Sequence, residues 1–66
     1  MRLKIDKESD TLYFRLDESA VAESEEVRPG VVLDFDDSGR IVGVEFLNIR
    51  SRMSEEELSS LQFQTA

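Results

Sequence analysis

The chain has 66 residues, 15 of them acidic and 8 basic, a formal net charge of −7, and neither cysteine nor histidine. That rules out a disulfide framework, thiolate or imidazole metal ligands and an ordinary neutral-pH base. Scattered basic residues in a net acidic chain argue against nucleic acid and against an anionic membrane surface. No apolar run approaches the roughly 18–20 residues of a membrane span, and "MRLKIDKESD" lacks the apolar segment of a signal peptide. One soluble, cytoplasmic domain over residues 1–66 is expected. A chain this short buries only about 60% of its unfolded surface, so help from a second copy, a homodimer, is expected too.

Apolar residues recur mostly at every second position, the spacing of half-buried strands. "RLKID" places Leu3 and Ile5 on one face. "DKESD" is a short polar turn, and "TLYFRL" sends Leu12, Phe14 and Leu16 one way and Thr11, Tyr13 and Arg15 the other. In "DESAVAESEEVRPG", Val21, Glu23, Glu25 and Val27 alternate with Ala22, Ser24 and Glu26, which suits an exposed edge strand or an extended connection. Pro29 lacks an N–H and Gly30 follows it, so a bend is expected there. "VVLDF" puts Val31, Leu33 and Phe35 on one face, with Val32 and Asp34 opposite. "RIVGVEFL" puts Val42, Val44 and Phe46 on one face and Ile41, Gly43, Glu45 and Leu47 on the other.

The C-terminal period changes. Ser54 with Glu57 three residues on forms a capping box, Met53 and Leu58 a hydrophobic staple. Glu55, Glu56 and Glu57 suit the positive end of a helix dipole. Leu58 and Leu61 share the face that would dock on the sheet. The expected fold is therefore α+β: a small, mostly antiparallel meander of four or five strands with one C-terminal helix packed on it. Its expected core is Leu3, Ile5, Leu12, Phe14, Leu16, Val31, Leu33, Phe35, Val42, Val44, Phe46, Leu58 and Leu61.

"DFDDSGRIVGVE" (34–45) has the spacing of an EF-hand loop, with Asp34, Asp36, Ser38, Gly39 and Glu45 in the ligand-loop positions. An EF-hand needs helices on both sides, and both flanks here read as strand. "DDSG" instead reads as a hairpin loop, a type I turn with a glycine bulge in which Gly39 supplies the positive φ. A weak divalent-cation site at Asp34, Asp36 and Asp37 is the alternative. Asp6, Glu8 and Asp10 form a solvated tip, since paired carboxylates need burial or close like charge before they do acid–base work. With no histidine, and Lys4 and Lys7 as the sole lysines, no activated nucleophile is visible, so neither an enzyme nor a cofactor is expected. Glu23, Glu25 and Glu26 offer an acidic face to a basic partner, and Tyr13 and Arg15 a contact patch on the outer face. Arg50 and Arg52 are available to pair with the excess acid.

"IDKESDTLYFRL" (5–16) resembles the opening motif Y-D-x-E-x-D-x-L-Y-I-x-L of the YuzE-like small bacterial proteins, domain of unknown function 2283, through Asp6, Glu8, Asp10, Leu12, Tyr13 and Leu16. "PGVVLDFDDSGRIVGVEFLN" (29–48) is similar to that family's second stretch at Asp34, Asp36, Gly39, Gly43, Glu45, Leu47 and Asn48. Ile5 stands where the family has tyrosine, and Val44 and Phe46 stand where it has isoleucine. The family has no assigned reaction, so the resemblance implies no catalytic residue. It implies a stand-alone small domain, in some members resembling the antitoxin half of a pair with a small basic protein. The expected function is a non-catalytic interaction module for such a partner.

Overall fold

The computed structural model describes the backbone of residues 1–64 and the side chains of residues 1–60. Strands β1 (Arg2–Asp6), β2 (Thr11–Arg15), β3 (Glu23–Arg28), β4 (Val31–Phe35) and β5 (Ile41–Leu47) precede a 3-10 turn (Ile49–Ser51) and helix α1 (Glu55–Gln64). All strand pairs are antiparallel, in the order β1-β2-β5-β4-β3. The expected meander holds for β1–β2 and for β3–β4–β5 but breaks between β2 and β3. Residues 16–22 carry the chain from β2, second in the sheet, to the far edge at β3, and β5 and β4 lie between them. Period-two spacing tells a strand which way its side chains point but not which strand lies beside it.

Register joins one apolar face. Leu3 pairs with Phe14, Phe14 with Val44, and Val44 with Leu33; Ile5 pairs with Leu12, Leu12 with Phe46, and Phe46 with Val31. Two positions depart from expectation. Leu16 is 45% exposed rather than in the core. Ile41, expected on the polar face, pairs with Phe35 because a bulge shifts the register between Asp34 and Phe35. One extra residue moves a side chain to the other face. The fully buried apolar residues are only Leu12, Val42 and Ile49 among those described, and Ile49 belongs to the turn after β5. The rest of the apolar face is half-buried. Among the described residues, the extensive contacts between elements run strand to strand.

Three turns bear out their residues. Pro29 and Gly30 (φ +78) form the two-residue β3–β4 turn, where Gly30 takes the left-handed conformation that a proline-led turn needs at that position. At Asp36–Arg40, the Gly39 N–H donates to the Asp36 carbonyl (3.0 Å) and the Asp36 N–H to the Arg40 carbonyl (3.0 Å), with Gly39 at φ +83. That is the type I turn with a glycine bulge. At the helix start, the Glu57 N–H donates to Ser54 Oγ (3.2 Å), the expected cap. Leu58 is half-buried and lines a hollow of about 30 Å3 with Ile5 and Ile49, and Met53 lines another with Leu12, Phe46 and Ile49. Leu61 lies outside the described side chains.

Candidate functional site

The polar face carries a hydrogen-bonded chain across four strands. In one row Arg15, Gly43, Asp34 and Ser24 pair side by side on β2, β5, β4 and β3. Tyr13, next along β2, donates its hydroxyl to Asp34 Oδ2 (2.9 Å). Arg15 Nη1 donates to that hydroxyl (3.1 Å), and Arg15 Nη2 to the Ser19 carbonyl. Ser24 donates to Asp34 Oδ1 (2.6 Å). Gly43 makes the arrangement fit: a Cβ there would stand 2.7 Å from the Tyr13 hydroxyl and 3.2 Å from Asp34 Oδ2. A glycine inside a strand often marks such a close approach. Hydrogen bonding with Tyr13 comes first among the causes that raise the Arg15 pKa above its ordinary value, helped by the Tyr13, Glu18 and Asp34 charges. Arg15 Nε is buried and makes no hydrogen bond. Beside this row, Lys4, Asp6, Ser9, Thr11, Tyr13, Asp34 and Glu45 line an open groove of about 430 Å3.

The sequence-level candidates fall on different surfaces. Tyr13 and Arg15 are half-buried members of the network rather than a free contact patch. Glu23 and Glu25 pair with Phe35 and Leu33, so they border the apolar face. Glu26 pairs with Val32 and borders the polar face, where its Oε2 accepts from the Gly30 N–H (3.0 Å). Ser24 is the member that pattern reading passes over, while it marks Asp34 only as a cation ligand and motif position and Gly43 only as a motif position; the lone glycine in β5 is the available signal.

The acidic hairpin divides its carboxylates. Asp34 faces Tyr13 and Ser24. Asp36 turns into its own loop and accepts from the Ser38 N–H (3.0 Å), Ser38 Oγ (2.9 Å), the Arg40 N–H (2.9 Å) and Arg40 Nε (3.2 Å). These bonds, led by the Arg40 N–H, lower its pKa to about 2. Asp37 is exposed. The three carboxylates proposed as a cation site are thus not brought together, and among the described residues no group of three or more acidic, histidine or cysteine side chains could hold a metal ion. Asp6 and Asp17 serve their turns in the same way. Asp6 accepts from the Glu8 and Ser9 N–H groups, and Asp17 from Ser19 N–H and Oγ, and in each case the serine's N–H leads in lowering the carboxyl pKa.

Two arginines fasten turns at one end of the sheet, Arg50 the β1–β2 turn and Arg52 the β3–β4 turn. Arg50 approaches Asp10 (3.7 Å) and donates to the Lys7 carbonyl (3.3 Å). Arg52 donates to the Pro29 carbonyl (2.6 Å) and the Leu47 carbonyl (3.4 Å), and its Nη2 would stand 2.9 Å from a Cβ at position 30.

Residues 2–50 match the family described as protein of unknown function, DUF2283. The chain belongs to that family. The match takes in every strand and stops in the turn before α1, so the sheet is the part the family shares. No curated protein and no solved structure matches the chain.

Proposed function

We propose that this DUF2283 member is a non-catalytic interaction module whose acidic edge binds a basic protein. The observation that carries the reading is edge strand β3. Glu23, Glu25 and Glu26 are all exposed on it, and no ion pair among the described residues engages them. An uncompensated acidic edge in a chain of net charge −7 favours encounter with a cation-rich surface and repels like charge. The same charges discourage edge-to-edge aggregation, so they serve the fold as well. The partner class is a small basic protein, in the manner of an antitoxin neutralising its toxin, and the setting is the cytoplasm. For the setting, the supporting fact is that no helix among the described residues is long and apolar enough to cross a membrane. In this reading α1 docks through Leu58 at the Ile5–Ile49 end of the sheet and leaves β3 open.

The test is affinity capture from the native cell lysate at low and high salt, with mass spectrometry of what is retained. A small basic protein that is released by salt, and lost when Glu23, Glu25 and Glu26 are all changed to lysine, supports the reading. Retention that ignores both salt and these substitutions refutes it.

A further inference from the structure

Edge strand β3 offers backbone as well as charge. The Leu47 N–H donates to the Gly30 carbonyl (2.8 Å), and these two residues lie on the register that pairs Val32 with Glu45 and Asp34 with Gly43. In an antiparallel pair, hydrogen-bonded residues alternate with non-bonded ones. Val32 and Asp34 therefore turn their backbone groups to β5, and Val31, Leu33 and Phe35 turn theirs to β3. Glu23 and Glu25, opposite Phe35 and Leu33, answer them. The same alternation turns the N–H and C=O of Ser24 and Glu26 outward, where no described strand pairs with β3. Glu23, Ser24, Glu25 and Glu26 are all exposed, so this edge is open to solvent.

We infer that β3 takes its basic partner by strand addition: an extended segment of that protein pairs antiparallel with Glu23–Glu26 as a further strand of the sheet. This rests on the reading of β3 as the contact surface and adds how the contact is made. The unpaired backbone of Ser24 and Glu26 makes the site, and the glutamates choose the occupant. Two β3 edges brought together would set glutamate against glutamate, so the edge rejects itself. A segment with cations opposite Glu23, Glu25 and Glu26 instead gains a cross-strand pair at each. Read along the added strand, that pattern is basic-basic-x-basic, with x opposite Ser24. No two basic residues are adjacent anywhere in this chain, so no segment of a second copy fits the pattern. The bulge between Glu26 and Arg28 breaks the ladder, and Arg28 repels a cation beyond it, so the recognised segment begins opposite Glu26.

The experiment is titration of the isotope-labelled chain with a capped peptide, Val-Lys-Lys-Thr-Lys-Val, followed by amide shifts and hydrogen exchange. The expected result is a saturable shift centred on β3, with the Ser24 and Glu26 amides protected from exchange by at least about tenfold more than in the free chain. The control peptide carries N-methyl groups on its first lysine and its threonine, the residues opposite Glu26 and Ser24. It keeps every charge, loses those two donors and should bind at least about tenfold more weakly. Equal binding of the two peptides, or unchanged exchange at Ser24 and Glu26, would overturn strand addition and leave a contact through charge alone. Changing Glu23, Glu25 and Glu26 to lysine alters exposed side chains and should abolish binding of both peptides with the fold retained. Binding that survives those changes would overturn the basic-partner reading together with the inference. A peptide that does not bind at millimolar concentration would overturn the inference, as would self-association of the pure chain that protects the same two amides.

Discussion

On one face of the sheet Tyr13, Arg15, Asp34 and Ser24 hold one another across four strands. On the other, Leu3, Phe14, Val44 and Leu33 stand half-buried, with no described element packed extensively over them. The face expected to look outward ties its own side chains together, and among the described residues much of the face expected to form the core is only half-buried. The difference follows from what each kind of group needs. Polar groups can satisfy one another within the plane of a single sheet, by bonds of a few ångströms between neighbouring strands. Apolar groups leave water only when a second layer is laid on top.

The comparison can be broken from the apolar side first. Leu12→Ala deletes one of the few buried side chains and should cost about 2–4 kcal/mol, read as a lower urea midpoint in far-ultraviolet circular dichroism. If Leu12→Ala proved as mild as a surface change, the small core would not be what holds the sheet. On the polar face Gly43→Ala should cost about 1–3 kcal/mol, because its Cβ meets the Tyr13 hydroxyl inside contact distance. Tyr13→Phe should cost about 1 kcal/mol through the lost bond to Asp34, and Gly43→Ala added to it should then cost less than it does alone. Additive effects would mean that Gly43 and Tyr13 do not meet. Ile41→Ser should stay within about 0.5 kcal/mol for the isolated chain, since that side chain is already 45% exposed.

Acid sharpens the same contrast. Asp6, Asp17 and Asp36 have lowered pKa values in the folded chain, Asp36 down to about 2. Their contribution is fully present above the unfolded value near 4 and is lost as pH falls, for Asp36 through about 2. The urea midpoint should therefore drop between pH 5 and pH 2, and Asp36→Asn should flatten that dependence.

Much of this architecture was legible in the sequence because alternation is a local property. Val31, Leu33 and Phe35 declare a face by themselves, and Asp36, Ser38 and Gly39 declare a turn by their own bonding habits. What could not be read depends on neighbours. Nothing in "TLYFRL" says that β5 rather than β3 lies beside it, although the run Val42–Gly43–Val44 suits a central strand and the glutamates of β3 an edge. Ile41 changed face because of a bulge that no residue announces. The candidate site was legible only in part for the same reason. Tyr13 and Arg15 were marked out as outward-facing, but their tie to Asp34 lies across β5, through a glycine whose role appears only once strand order is known.

That strand order also sets a timetable. β5 is the last of the five described strands to be synthesised, yet it sits in the middle of the sheet, paired with β2 on one side and β4 on the other. Until residue 47 is made, the nascent chain holds at most two separate hairpins, β1–β2 and β3–β4, and a lone hairpin is marginal in water. Their inner edges, β2 and β4, stay open for pairing with other chains during that interval. β5 closes both edges at once, so assembly is a late, single event, and a ribosome that stalls before residue 41 would release a sticky fragment rather than a partial domain.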